Sequence, residues 1–185
     1  MCVLWSSPLA ASEKPTMLSR EAWQAKPPAL AMTAQKPVAI LVHHTGSAMK
    51  IKTTLAAKMR GLQRFSQAKE KLADGRTKPA WPDVPYHFYI AADGNVAEGR
   101  SITAVGDTNT GYDPTGYIQV VVEGNFETEN PTASQLASLT SLLGWLKQNY
   151  NVTPSAIQAH NDKAQTACPG KNLSAKLSGI VGGLK

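Results

Sequence analysis

The run His160-Asn-Asp-Lys-Ala-Gln-Thr166-Ala-Cys168-Pro-Gly joins an imidazole, a hydroxyl and a thiol within one short stretch of chain. A histidine pair, His43-His44, stands far upstream at the end of an apolar run. Neutral imidazole and thiolate both suit zinc, which in catalytic sites takes three protein ligands and leaves one position open. His43, His160 and Cys168 would supply two nitrogens and one sulfur. A zinc ion held in this way makes hydroxide available near neutral pH and polarises a carbonyl oxygen, which points to hydrolysis of an amide or an ester. Spacing alone does not establish the site. A histidine at a strand end is commonly a satisfied polar residue, and a lone buried cysteine commonly packs as a small hydrophobe.

These residues need elements to carry them. Val38-Ala-Ile-Leu-Val42 is a continuous, largely β-branched run and predicts a strand buried on both faces that ends at His43. Ile157-Gln-Ala159 predicts a short strand delivering His160. Leu55, Met59, Leu62, Phe65 and Leu72 recur at helical spacing, so an amphipathic helix is expected from a cap at Thr53 or Thr54 to Asp74-Gly75. Pro79 to Pro85 reads as a stiff loop. Tyr86 to Ala91 and Asn95 to Arg100 read as a hairpin around Ala92-Asp93-Gly94. A surface loop over 106–116 precedes a strand from Ile118 to Glu123. Thr132-Ala-Ser-Gln135 is a capping box, opening a helix that buries Leu136, Leu139, Leu143 and Leu146. A last short helix is expected around Leu173 and Leu177, and one helical turn capped by Ser19 between Leu18 and Trp23. Strands alternate with helices throughout and no repeat interrupts them. The class is α/β, a single domain with a central mixed β-sheet flanked by α-helices.

The 185 residues suit one domain with a sizeable core. The net charge of +6 favours acidic partners, but the lysines are scattered without interleaved aromatics, which argues against nucleic acid. No apolar run approaches the roughly 20 residues that span a bilayer, so membrane insertion is not expected. Two cysteines, Cys2 and Cys168, do not make a disulfide-stapled scaffold. Residues 1–17 read as an N-terminal arm or the remnant of an export signal. An apolar stretch runs to small residues at Ala10-Ala11 without a basic start. Residues 18–185 form the domain.

Taken in order, the pieces resemble the zinc-dependent N-acetylmuramoyl-L-alanine amidases, the group that includes phage lysozyme-type amidases and peptidoglycan recognition proteins. Ser19-Arg-Glu-Ala-Trp23 with Lys26-Pro27-Pro28 is similar to the family's entry segment, and Val38 to Thr45 to its first buried strand. Trp81-Pro-Asp83-Val84-Pro85-Tyr86-His87-Phe88, then Asp93-Gly94 and Glu98-Gly99-Arg100, resemble its central hairpin, and His160 to Gly170 its closing metal loop. The resemblance covers roughly residues 18 to 180 and implies that His43, His160 and Cys168 hold Zn²⁺, with His44 turned to the other face of the strand. It implies that Tyr86 orients water or hydrogen-bonds the developing oxyanion, and that Thr166 supports the same charge. His87 is then structural. Glu123 is a candidate base only if it substitutes for a glutamate that some relatives carry at the position of Val121. The alternative is a strand-end carboxylate in solvent or in a salt bridge.

The implied activity is hydrolysis of the bond between N-acetylmuramic acid and L-alanine by a monomer acting on peptidoglycan. The protein would be secreted, periplasmic or in the cell envelope, or a cytoplasmic phage endolysin released at lysis. No motif in the sequence encodes an inhibitor or immunity protein as a partner. The rivals are a recognition module that binds peptidoglycan without cleaving it, and an unrelated α/β protein with a structural zinc. Two departures stand out. Asp107 occupies the place of a substrate-holding histidine and is expected to change the charge of the groove, and Pro85 replaces a glycine before Tyr86.

Overall fold

The two most apolar runs of the chain lie side by side at the heart of a sheet. In the computed structural model, which describes residues 12–72 and 74–184, β2 (Ala39–His44) pairs in parallel with β7 (Tyr117–Val122). Side chains on both faces are buried, which is why these strands carry apolar residues without alternation. The remaining strands are β1 (Met17–Leu18), β5 (Phe88–Ile90), β6 (Val96–Glu98) and β8 (Ile157–Ala159), and the six-stranded order is β1-β6-β5-β7-β2-β8. β5 and β6 form the expected antiparallel hairpin, while β1–β6, β5–β7, β2–β7 and β2–β8 are parallel. The sheet is thus mixed, as its alternation of elements predicts.

Helices cover both faces. Helix α1 (Leu55–Gln67) packs on one side against Trp23, Tyr89, Ala97 and Val121. Helices α2 (Ala133–Asn149) and α3 (Lys171–Gly183) cover the other, burying Leu139, Leu142, Leu143, Leu146, Leu173 and Leu177 against Ile40, Val42, Ile118, Val120 and Val122. The capping box forms at Thr132: its Oγ1 accepts from Gln135 N at 3.1 Å, and Gln135 Oε1 accepts from Thr132 N at 3.0 Å. The turn before Trp23 is closed by Ala22 N donating to Ser19 Oγ.

Three expectations need correction. The first helix stops at Gln67 instead of reaching Asp74-Gly75, and a two-stranded ribbon follows, β3 (Glu70–Lys71) against β4 (Thr77–Lys78). The cause is tertiary. Lys78, fully buried, donates its ammonium to the carbonyls of Ser66, Ala68 and Pro79 at 2.6–2.9 Å and lies 4.4 Å from the Trp81 ring centroid. A lysine that takes up the terminal carbonyls ends the helix there. Leu72 consequently lies outside the helix, and Phe65 is 40% exposed. Finally, Val38 precedes the strand, which extends through both histidines. The signal-like stretch before residue 12 lies outside the described residues.

Candidate metal centre

Strands β2 and β8 are parallel neighbours with Val42 opposite Ala159, and the next residue of each is a histidine. His43 and His160 therefore leave adjacent strand ends together, and their Nδ1 atoms lie 3.1 Å apart. Cys168 Sγ sits 3.7 Å from His43 Nδ1, and the three donor atoms fall within 4.8 Å of one another. Tetrahedral zinc with ordinary bond lengths holds two nitrogens about 3.3 Å apart, and a nitrogen and a sulfur about 3.6 Å apart. The Nδ1–Nδ1 and Nδ1–Sγ separations at His43 fit that figure, and the third pair lies within 4.8 Å.

Its electrostatics agree. Burial, then the neighbouring His160, drives the His43 imidazole well below its usual range, and burial lowers His160 to about 4. Both rings are thus neutral, and two neutral nitrogens facing each other share at most one proton. A cation satisfies both lone pairs. Burial pushes the Cys168 thiol up to about 12, opposed by the His44 backbone N–H, which reaches Sγ at 3.3 Å. A metal displaces that proton when it binds.

The surroundings hold the donors still. Thr110 Oγ1 lies 2.7 Å from His160 Nε2 and fixes the ring. His44, on the opposite face as alternation requires, accepts from Phe126 N at 3.2 Å. The loop bearing Cys168 docks on the turn at Phe126, where Asn172 N donates to Phe126 O and Lys171 N to Glu127 Oε1. Gly170 adopts φ +89°, and a side chain on it would meet the Phe126 carbonyl carbon at 2.5 Å, so only glycine allows this approach.

A cavity of about 220 Å³ opens over the three donors, walled by Trp81, Pro85, Tyr86 and Asp107. Tyr86 stands with its ring centroid 5.3 Å from that of His43, and burial raises its phenol, keeping it a neutral donor. Thr166 does not line this cavity; its Oγ1 accepts the Cys168 N–H at 3.2 Å. Asp107 is bonded to Arg100, which is itself buried and donates to the carbonyls of Asp83, Val84 and Val105. That pairing offsets the expected change of charge in the groove. His87 is buried and structural: Nε2 donates to Ala104 O at 2.9 Å and Nδ1 accepts from Gln119 N at 2.8 Å.

Glu123 takes the salt-bridge alternative, and is buried. Its Oε2 accepts from Lys58 Nζ at 2.7 Å and Ala92 N at 2.9 Å, and its Oε1 from Lys50 N at 2.9 Å. Both oxygens are occupied, so it is not placed to act as a base. Thr110 escaped the sequence reading because only the folded loop brings it to His160. Gln119 left a signal, a lone polar residue inside Ile118-Gln-Val-Val-Val122.

The sequence profile described as N-acetylmuramoyl-L-alanine amidase matches residues 33–171. Peptidoglycan-recognition protein SD of Drosophila simulans is 30% identical over 165 residues, covering 87% of this chain and 83% of the relative. An endolysin of Klebsiella phage KP32 is 41% identical over 97 residues, half of this chain and 63% of the phage protein. Among solved structures, the Drosophila peptidoglycan recognition protein SD superposes with a TM-score of 0.75 at 26% identity, covering 89% of this chain and 94% of that one. The endolysin amidase LysCS of Clostridium intestinale URNW gives 0.73 at 26% identity, covering 93% and 99%.

Proposed function

Because this chain belongs to the N-acetylmuramoyl-L-alanine amidase family, we propose that it hydrolyses the amide bond between N-acetylmuramic acid and the L-alanine of the peptidoglycan stem peptide, with zinc held by His43, His160 and Cys168. The observation that carries this reading is the convergence of three donor atoms within 4.8 Å beneath an open cavity.

Bound there, zinc would supply a Lewis acid that activates water and polarises the scissile carbonyl. The chain's own groups do the remaining work. His43 and His160 stay neutral because they are buried. Tyr86, a protonated phenol in the cavity wall, donates to the oxygen that gains charge as the carbonyl becomes tetrahedral. Thr166 steadies the sulfur-bearing loop through the Cys168 N–H. Because it lies outside the cavity lining, its hydroxyl reaches the same charge only if the Cys168 loop shifts when substrate binds. Glu123 takes no part.

Next to the cavity, and sharing Thr45 with it, a groove of about 570 Å³ runs along α1 past Lys50, Arg64, Phe65 and Tyr89. It is the place for the stem peptide, whose carboxylates suit the exposed Lys50 and Arg64. The substrate lies in the cell wall, so the protein acts after export or after release at lysis. No helix among the described residues is long and apolar enough to cross a membrane.

Mass spectrometry of purified wall digested with and without a chelator tests the reading. Free stem peptide that disappears with chelator supports it. Cleavage that survives complete zinc removal sinks the metal assignment. Muropeptide binding with no bond broken at any zinc level would favour the recognition module instead.

A further inference from the structure

We propose that Gln119 is a positioning residue for the metal centre, its amide oxygen accepting the Nε2–H of His43. The inference rests on His43 being a metal ligand through Nδ1, and it begins from strand register. His43 is opposite Val121 across the parallel β2–β7 pair, so Gln119 is its diagonal neighbour on the same face. Gln119 is fully buried. Its backbone is clamped by His87 from both sides: Gln119 N donates to His87 Nδ1 at 2.8 Å, and Gln119 O accepts from His87 N at 2.9 Å.

The side chain has little freedom. A Cβ on Gly106 would collide with Gln119 Nε2 and approach Pro85 O to 2.7 Å, so the amide fills the space that glycine leaves. Its Oε1 accepts from the Tyr112 hydroxyl at 2.9 Å. Two buried nitrogens here lack a partner, Nε2 of Gln119 and Nε2 of His43. The two residues stand on one face of adjacent strands, a single diagonal step apart in register, a separation that a glutamine side chain spans.

A half-turn of the amide resolves both orphans. Oxygen and nitrogen of a glutamine amide have nearly the same shape, and the bonding network decides between them. Turned, Oε1 accepts from His43 Nε2–H, while Nε2 donates to the Tyr112 oxygen. The Tyr112 hydroxyl is then left free to donate elsewhere. A histidine that binds metal through one nitrogen needs its other N–H held by a carbonyl or carboxylate, which fixes the tautomer and the ring's orientation.

The test uses the purified full chain and Zn²⁺ alone, with affinity read by competition against a chromophoric chelator. Gln119→Met keeps the length and removes the acceptor, and should weaken zinc binding about 10- to 100-fold. Gln119→Glu, which restores an acceptor, should recover most of it. Independently, ¹⁵N spectra of the zinc-free wild type should show His43 as the Nε2–H tautomer, and Gln119→Met should lose that preference. Unchanged zinc affinity in Gln119→Met, or an Nδ1–H tautomer at His43 in the wild type, overturns the proposal. A wild type that binds no zinc would defeat the functional reading, while the tautomer measurement would still judge Gln119.

Discussion

Two buried polar clusters sit at the carboxyl ends of the neighbouring strands β2 and β7, and they are built on opposite plans. Around Glu123 every oxygen is answered: Lys58 Nζ, Lys50 N and Ala92 N all donate to it at 2.7–2.9 Å. Around His43 the donors face one another. Nδ1 meets Nδ1 at 3.1 Å, with a thiol at 3.7 Å and no cation of the chain's own between them. Both clusters are buried and rich in titratable groups, so burial does not tell them apart. The count of unanswered atoms does. A closed cluster holds the fold, whereas an open one leaves room for a ligand to complete it.

Loss of a donor should hurt the open cluster most. Cys168→Ser should weaken zinc binding by more than about a thousandfold and abolish amide hydrolysis, since it removes a direct ligand instead of a supporting partner. The melting temperature of the zinc-free protein should move little. Chelator competition, stem-peptide release from purified wall and calorimetry check the three in turn, and full hydrolysis by this variant would end the mechanism.

Glu123→Gln should do the reverse. It leaves the buried Lys58 ammonium without its counter-charge, so stability should fall by about 3–5 kcal/mol in urea titration. Zinc affinity per folded molecule should stay unchanged. A large drop in zinc affinity would join the two clusters and break the contrast.

His87 extends the contrast to pH. Both of its nitrogens are satisfied in the neutral form, and burial holds it at about 4 against an ordinary 6.5. The unfolded chain therefore takes up a proton that the folded chain refuses. This contribution to stability is intact above pH 6.5 and is lost as pH falls towards 4, on the order of 3 kcal/mol in all. Denaturation at pH 7, 5.5 and 4 should show the loss, and His87→Asn should remove its share while the part owed to buried His43 and His160 stays.

Two smaller effects refine the open cluster. Tyr86→Phe should keep zinc and slow turnover by about 100-fold, as expected for one lost oxyanion donor. Thr166→Val removes a single hydrogen bond to the Cys168 N–H, and should cost about 1 kcal/mol of stability. Any fall in turnover beyond what that loosening explains would measure the hydroxyl's own contribution to the oxyanion.

Much of the scaffold could be read from local signals. The capping box at Thr132 opens α2 because its two hydrogen bonds lie within four residues. The unbroken apolar runs of β2 and β7 declare strands buried on both faces. The features that resisted reading all depend on distant partners. The end of α1 is set by Lys78 from beyond the helix, so helical periodicity through Leu72 misled. Glu123 reads as a candidate base until Lys58 and two backbone amides reach it. At the site, residue types pointed to His43, His160 and Cys168, which the fold brings together, but not to the company of Thr110 and Gln119. The first is brought by a folded loop, and the second by a strand register that no single segment encodes.

The pairing of β2 with β8 also fixes an order of events. His43 and His160 are separated by 117 residues, and β8 is the outermost strand on its side of the sheet. A growing chain that has finished β7 and α2 already owns most of its sheet, but only one of the three donors. Any nascent chain or proteolytic fragment that stops short of residue 168 has at most two. A complete donor set thus exists only once the last stretch of chain is made, and a truncated product lacks the cluster on which the proposed activity rests.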